Sequence, residues 1–152
     1  MVTWQLAQLN IAVLRHPLEH PALMPFVDSL EPVNAVADAA PGFVWRLQEK
    51  SGNATSVRPW GQHTIVNLSV WDDVEALRAY VFGPEHAALL RQRRDFFTPM
   101  PTPSVVLWWV PSDHRPELAE ARDRLDHLTE RGPTAYAFTL RATFGPEGDG
   151  SA

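Results

Sequence analysis

Cysteine is absent from the 152 residues. Disulfides, thiolate nucleophiles and cysteine-held metal or iron–sulfur centres are thereby excluded. Positive charge is scarce: 13 Lys and Arg stand against 18 Asp and Glu, for a formal net charge of −5. Neutralising phosphates takes a basic surplus, so nucleic acid is not an expected partner. Long apolar runs are lacking too. The longest, Val105 to Val110, is strand-sized, far short of the roughly 18 residues of a membrane span. The N-terminus shows no basic start, apolar stretch or small-residue cleavage site of a signal peptide. The expectation is a cytoplasmic protein with no membrane partner. No P-loop, G-x-G-x-x-G or G-x-S-x-G occurs. There is no H-x-x-x-H pair, and no metal site is expected.

Hydrophobic residues make up 45% and charged residues 20% of the chain, enough to build a core and too apolar for disorder. One domain is expected over residues 1–144, followed by a flexible, Gly-rich tail at 145–152. Pro is frequent at 14 residues and punctuates the chain, and 6 Trp supply bulk.

Periodicity sets the elements. Thr3 to Val13 reads as a strand apolar on both faces, as a covered central strand would be. Ala22 to Ala39 carries a helical stripe of Leu23, Phe26, Val27, Leu30 and Ala37. Pro32 inside it predicts a kink or two short helices near Leu30. Gly42 to Gln48 and His63 to Trp71 alternate as strands, joined by a long connection from Glu49 to His63 that is rich in turn formers. Asp72 or Asp73 caps a helix bearing Val74, Leu77 and Val81, and Pro84 opens a second helix, Glu85 to Phe97. The Pro-rich run Thr98 to Pro103 is a connector. Ser104 to Val110 is a fourth strand. A last helix after Pro116 presents Leu118, Ala121, Leu125 and Leu128, with Glu120 and Arg124 as an i,i+4 pair. Tyr136 to Phe144 suggests a short fifth strand.

The first six elements follow the ferredoxin-like split βαβ order: α+β, an antiparallel four-stranded sheet with helices on one face, here with an extra C-terminal helix and short strand. Trp108 and Trp109 point to opposite sides, so both sheet faces must become dry. With no helices counted as spare for the second face, the expected solution is a homodimer with facing sheets.

The segments LAQLNIAVLR, GFVWRLQEKSGNAT, IVNLSVWDDVEALRAYVF, HAALLRQRRDFF, LWWVP and RGPTAYAF, spanning Trp4 to Phe138, resemble a bacterial family of unknown function in the dimeric α+β barrel superfamily. The junction at Trp71 followed by Glu75-Ala76-Leu77 is similar to that of antibiotic-biosynthesis monooxygenases. The resemblance implies the fold and the dimer. It points to chemistry only broadly, because the superfamily also holds haem-degrading enzymes, cofactor-free monooxygenases and isomerases.

Among six histidines, His86 is singled out: positions 86, 90, 94 and 97 share a helix side, joining it to Leu90, Arg94 and Phe97. Such a ring is either a bonded core residue or a base, acid or haem ligand. Asn10, Asn34 and Asn67 lie within apolar elements, where a buried amide needs partners or a polar-lined pocket. Haem-degrading relatives imply a role for an asparagine on the first strand, which Asn10 loosely matches. Trp45, Trp71, Trp108, Trp109 and Tyr80 serve either as core or as walls of a flat apolar cavity. Arg46 and Arg94 complete the candidate substrate-binding set, Arg94 as holder of a carboxylate.

The resulting expectation is a small-molecule enzyme of monooxygenase or isomerase type. It would act on an aromatic or polyketide-like substrate between sheet and helices, with His86, Asn10 and Asn67 catalytic and no cofactor. Two alternatives stand beside it: a haem protein with His86 as axial ligand, and a non-catalytic dimeric ligand-binding or structural protein.

Overall fold

The computed structural model describes residues 3–48, 55, 57–146 and 150–151. In chain order the main elements are β1 (Trp4–Leu14), α1 (Met24–Ala39), β2 (Phe43–Arg46), β3 (Thr64–Trp71) and α2 (Val74–Val81). These are followed by α3 (Pro84–Arg91), a single turn α4 (Arg93–Phe96), β4 (Phe97–Thr98), β5 (Val105–Pro111) and α5 (Leu118–Arg131). Two-residue strands β6 (Thr143–Phe144) and β7 (Gly150–Ser151) close the chain.

β1 is the axis of the sheet. It pairs antiparallel with β3 along one edge and with β5 along the other, and β2 adds outside β3. The order β5-β1-β3-β2 is the split βαβ arrangement of the ferredoxin-like class. β4 joins the far end of β1 through Val13↔Thr98 and Leu14↔Phe97.

Local chemistry explains the helix starts. The Asp73 carboxylate accepts from the Ala76 N–H at 2.9 Å and caps α2. Pro84 occupies the first turn of α3, where its missing N–H costs nothing. Gly42 turns the chain from α1 into β2 at a φ of +81°, where a Cβ would stand 2.5 Å from that of Ala76. Only glycine lets this turn sit against the start of α2.

Several expectations are corrected. α1 runs unbroken through Pro32; the proline removes one hydrogen bond, while Phe26 and Ala37 on either side are buried and hold the helix in line. The helix expected from Glu85 to Phe97 instead breaks at Gln92. Phe96 is buried against Leu14, Leu23 and Phe26, and Phe97 leaves the helix to pair with β1. Glu120 and Arg124 do not pair. Glu120 accepts from Trp108 Nε1 and meets His114 Nε2, both at 2.7 Å, while Arg124 lies 3.6 Å over the Tyr136 ring. The expected fifth strand is reduced to a bridge, Leu107↔Phe138, and the pairing of β6 with β7. Residues 147–149 and 152 lie outside the described residues, as does most of the connection at 49–56.

The largest correction concerns the second sheet face, because the chain does have a helix for it. Ala121, Leu125 and Leu128 of α5 pack on Leu9, Ile11, Leu68, Val70 and Trp108. Those five strand residues are at most 4% exposed within one chain. Unmet burial therefore does not by itself demand a dimer.

Leu125→Ala should remove apolar contact from this layer and cost about 2–5 kcal/mol, read from urea unfolding. A loss below half a kcal/mol would show that α5 does not hold the face.

Candidate functional site

The opposite face of the sheet is not closed. Between it and α1, α2 and α3 lies a cavity of about 630 Å³. Alternation along the strands decides what reaches it. β1 contributes Gln8, Asn10 and Ala12, and β3 contributes Ile65, Asn67, Ser69 and Trp71. The helices contribute Asn34, Tyr80 and His86 from above.

Asn10 and Asn67 sit directly opposite each other across the β1–β3 ladder. Asn10 and Asn34 are half-buried and Asn67 is exposed. Among the described residues their carboxamides make no hydrogen bond, so the expected buried amide network does not form. A different polar relay takes its place. Trp71 Nε1 donates to Ser69 Oγ at 2.9 Å, and Ser69 Oγ donates to Gln8 Oε1 at 2.8 Å. All three residues are buried. Sequence reasoning passed over Gln8 and Ser69, although both share the strand phase of Asn10 and Asn67.

One wall is a run of rings. Phe43 meets Trp71 edge-on at 5.3 Å, Trp71 stacks on Tyr80 at 5.1 Å, and Tyr80 meets His86 edge-on at 5.3 Å between centroids. Burial pushes the Tyr80 phenol up to about 12, against the pull of Arg46, so it remains a proton donor at any ordinary pH. Its oxygen lies 3.5 Å from the Val33 carbonyl, a distance too long to hold it firmly.

His86 is half-buried. Burial lowers its pKa below the usual imidazole value, opposed by the Val81 backbone, so the ring is neutral at pH 7. Its Nδ1 is buried and has no hydrogen-bond partner among the described residues. A buried, unpaired ring nitrogen costs roughly 1–3 kcal/mol.

Arg46 reaches the cavity through a bulge in β2. The register steps from Phe43↔Trp71 to Trp45↔Val70 and Arg46↔Ser69, which brings both Phe43 and Arg46 to the cavity side. Its guanidinium forks onto Asp38, Nε to Oδ1 at 2.8 Å and Nη2 to Oδ2 at 3.3 Å. Trp45 lies on the opposite face, packed with the α5 core.

Trp108 and Trp109 also lie outside the cavity lining. The first is turned towards α5, and the second donates to the Phe144 carbonyl at 2.6 Å. Bulk on a strand does not say which face it serves. Arg94 reaches the cavity edge with Arg93, but from α4 rather than from the helix of His86.

The model of a domain of unknown function, DUF3291, matches residues 5–151. The chain belongs to the DUF3291 family. No curated protein matches it. Among solved structures it is similar to a protein of unknown function from Nitrosomonas europaea, at 18% identity and a TM-score of 0.48, over 76% of this chain and 95% of that one. It is similar to SnoaB, a cofactor-independent oxygenase from Streptomyces nogalater, at 20% identity and a TM-score of 0.44, over 76% and 98%. A Pseudomonas aeruginosa protein is 12% identical with a TM-score of 0.49, over 75% and 99%.

Among the described residues of this DUF3291 chain, no group of three or more His, Asp or Glu could hold a metal ion, and no helix is long and apolar enough to cross a membrane. For haem, the cavity lining offers one imidazole, that of His86. An axial histidine must offer a ring nitrogen to the iron, whereas Nδ1 of His86 is sealed in protein.

The lowered pKa of His86 has a consequence for stability. Between its folded value and about 6.5 the unfolded chain binds the extra proton, so this ring's contribution to stability is full above pH 6.5 and declines as pH falls. The melting curve of His86→Gln should lose less than wild type between pH 7 and pH 5. Parallel losses would show that the ring is not held neutral. Asn67→Leu, which strands no partner, should leave the melting temperature within about 2 °C, since surface substitutions usually stay within about 0.5 kcal/mol.

Proposed function

We propose that the cavity is a small-molecule site and that the protein acts there as a monooxygenase or isomerase, by removing a proton from a flat, aromatic or polyketide-like substrate. The observation that carries this reading is the union of an apolar, ring-lined volume with polar groups left unspent by the fold. Trp71 and Tyr80 would bound the substrate plane. The amides of Asn10 and Asn67 would donate to an oxygen that gains charge. His86 would take the proton from carbon or phenol, leaving the electron pair on the substrate as an enolate or phenolate. Returning the proton to another atom isomerises the substrate; alternatively the carbanion passes one electron to dioxygen and the two radicals join as a hydroperoxide, whose O–O bond then breaks to leave one oxygen on carbon as a ketone and the other in water.

Proton transfer needs only hydrogen-bond reach, about 2.6–3.2 Å, and such geometry commonly tightens when substrate binds. A positioned neutral imidazole suits the task near pH 7. The reading takes no cofactor. It keeps the homodimer and the cytoplasmic location, which rest on the family resemblance and on composition.

One observation favours ligand binding without catalysis: Nδ1 of His86 is shielded from solvent. Anthrone, a tricyclic ketone with an acidic methylene, separates the two readings. Wild-type protein should accelerate hydrogen–deuterium exchange at that methylene, followed by NMR without oxygen, and His86→Gln should slow it by about a hundredfold. Anthrone binding without accelerated exchange would select the non-catalytic reading, and no binding of any polycyclic ketone would remove both.

A further inference from the structure

We infer that the natural ligand of this cavity is an acid, its anionic group held at the rim by Arg93 and Arg94 while its apolar body lies against Trp71 and Tyr80. The inference deepens the small-molecule reading above and rests on it. It begins from charge. Over the whole chain, acidic residues outnumber basic ones, 18 to 13. Around the cavity the balance is reversed: Arg46, Arg93 and Arg94 line it, and no Asp or Glu does among the described residues. An acidic protein with a carboxylate-free, arginine-bearing cavity has segregated its charge. Clefts lined by one sign of charge focus potential and gather ligands of the opposite sign.

The three arginines are not equivalent. Arg46 is buried and committed to Asp38 at 2.8 Å, so it serves the wall and is not offered to a ligand. Arg93 and Arg94 are exposed, and no carboxylate lies within ion-pair distance of either among the described residues. The nearest carboxylate in sequence, Asp95, is exposed, lies outside the lining and pairs with neither.

The turn that carries them is fixed at both ends. Phe96 is 2% exposed, and the Arg94 carbonyl accepts from Arg15 Nε at 2.5 Å. Arg15 is itself anchored, its backbone N–H donating to the Phe96 carbonyl at 2.9 Å. The backbone under the two guanidiniums is thus set before a ligand arrives, which reduces the ordering cost of binding. Guanidinium forks match a carboxylate, sulfonate or phosphate in two-point geometry. Deeper in, the lining offers rings and neutral amides that would leave a second charge unpaired. A single anionic end on an aromatic or apolar body is the chemistry that fits both halves.

The test uses matched pairs in which only charge changes: benzoate, 2-naphthoate and 9-anthroate, each against its primary amide, by isothermal titration calorimetry and thermal shift at pH 7 in low salt. The acids should bind at least about tenfold more tightly than their amides, the scale expected of one charge-assisted pair. That preference should shrink in high salt. It should vanish in the Arg93→Gln, Arg94→Gln double variant and survive in Arg93→Lys, Arg94→Lys. Unaltered melting of the unliganded variants checks that both fold. Acids and amides binding equally would overturn the inference while leaving the cavity reading standing, as would an acid preference that persists in the Gln variant. Binding of no member of the series would remove the cavity reading and the inference together.

Discussion

Everything in this fold depends on β1 having to be dry on both sides. Ala7, Leu9 and Ile11 face one way and Leu6 and Leu14 the other, and all are nearly inaccessible to solvent. Two layers must therefore cover one sheet, and a chain of this size has few helices to divide between them. α5 alone serves the side of Leu9, and α1 to α3 serve the side of Leu6. The two sides differ in what lies between the apolar residues. On the α5 side the phase is apolar from Ala7 to Ile11 and from Val66 to Val70, so a helix can seat directly. On the other side Gln8, Asn10, Asn67 and Ser69 interrupt it. Helices pressed fully onto that surface would strand amides away from water, at roughly 1–3 kcal/mol each. The cavity opens where close packing would be most costly.

That argument also shows what could be read in the sequence and what could not. Strand phase is a local property with a period of two, so the positions of Asn10, Asn67 and Trp71 on one face followed from β1 and β3 alone. Helix stripes likewise placed Tyr80 and His86 without a structure. The choice of layer for α5 was not local. Leu118, Ala121, Leu125 and Leu128 announce an apolar stripe, but a stripe does not name the surface it covers. The β2 bulge was equally hidden, because one extra residue reverses the face of everything beyond it. It turns Arg46 towards the cavity and sends Trp45 to the α5 core. The break at Gln92 arises from a long-range competition, the pairing of Phe97 with Leu14. The helical period continued past a point where the chain had better contacts elsewhere.

The polar groups on the open side divide into those the fold has used and those it has not. Gln8, Ser69 and Trp71 bond one another; Arg46 and Asp38 bond one another. These pairs stiffen the wall and offer nothing to a ligand. The amides of Asn10 and Asn67 and the Nδ1 of His86 remain uncommitted. The amides face an open volume, where water can satisfy them until something else does. Nδ1 is different, because it is sealed and its desolvation is uncompensated. The burial that leaves it unpaired also keeps the ring neutral at pH 7.

His86 sits in the first turn of α3, with the Tyr80 ring edge-on beside it. α3 begins at Pro84, so the free N–H groups of its first turn disfavour a positive charge on His86 from behind. Tyr80, whose phenol burial has pushed up to about 12, brings a ring without a charge to the other side. Depth is what lowers the proton affinity of the His86 ring, and it prevails over the Val81 backbone, which favours the proton.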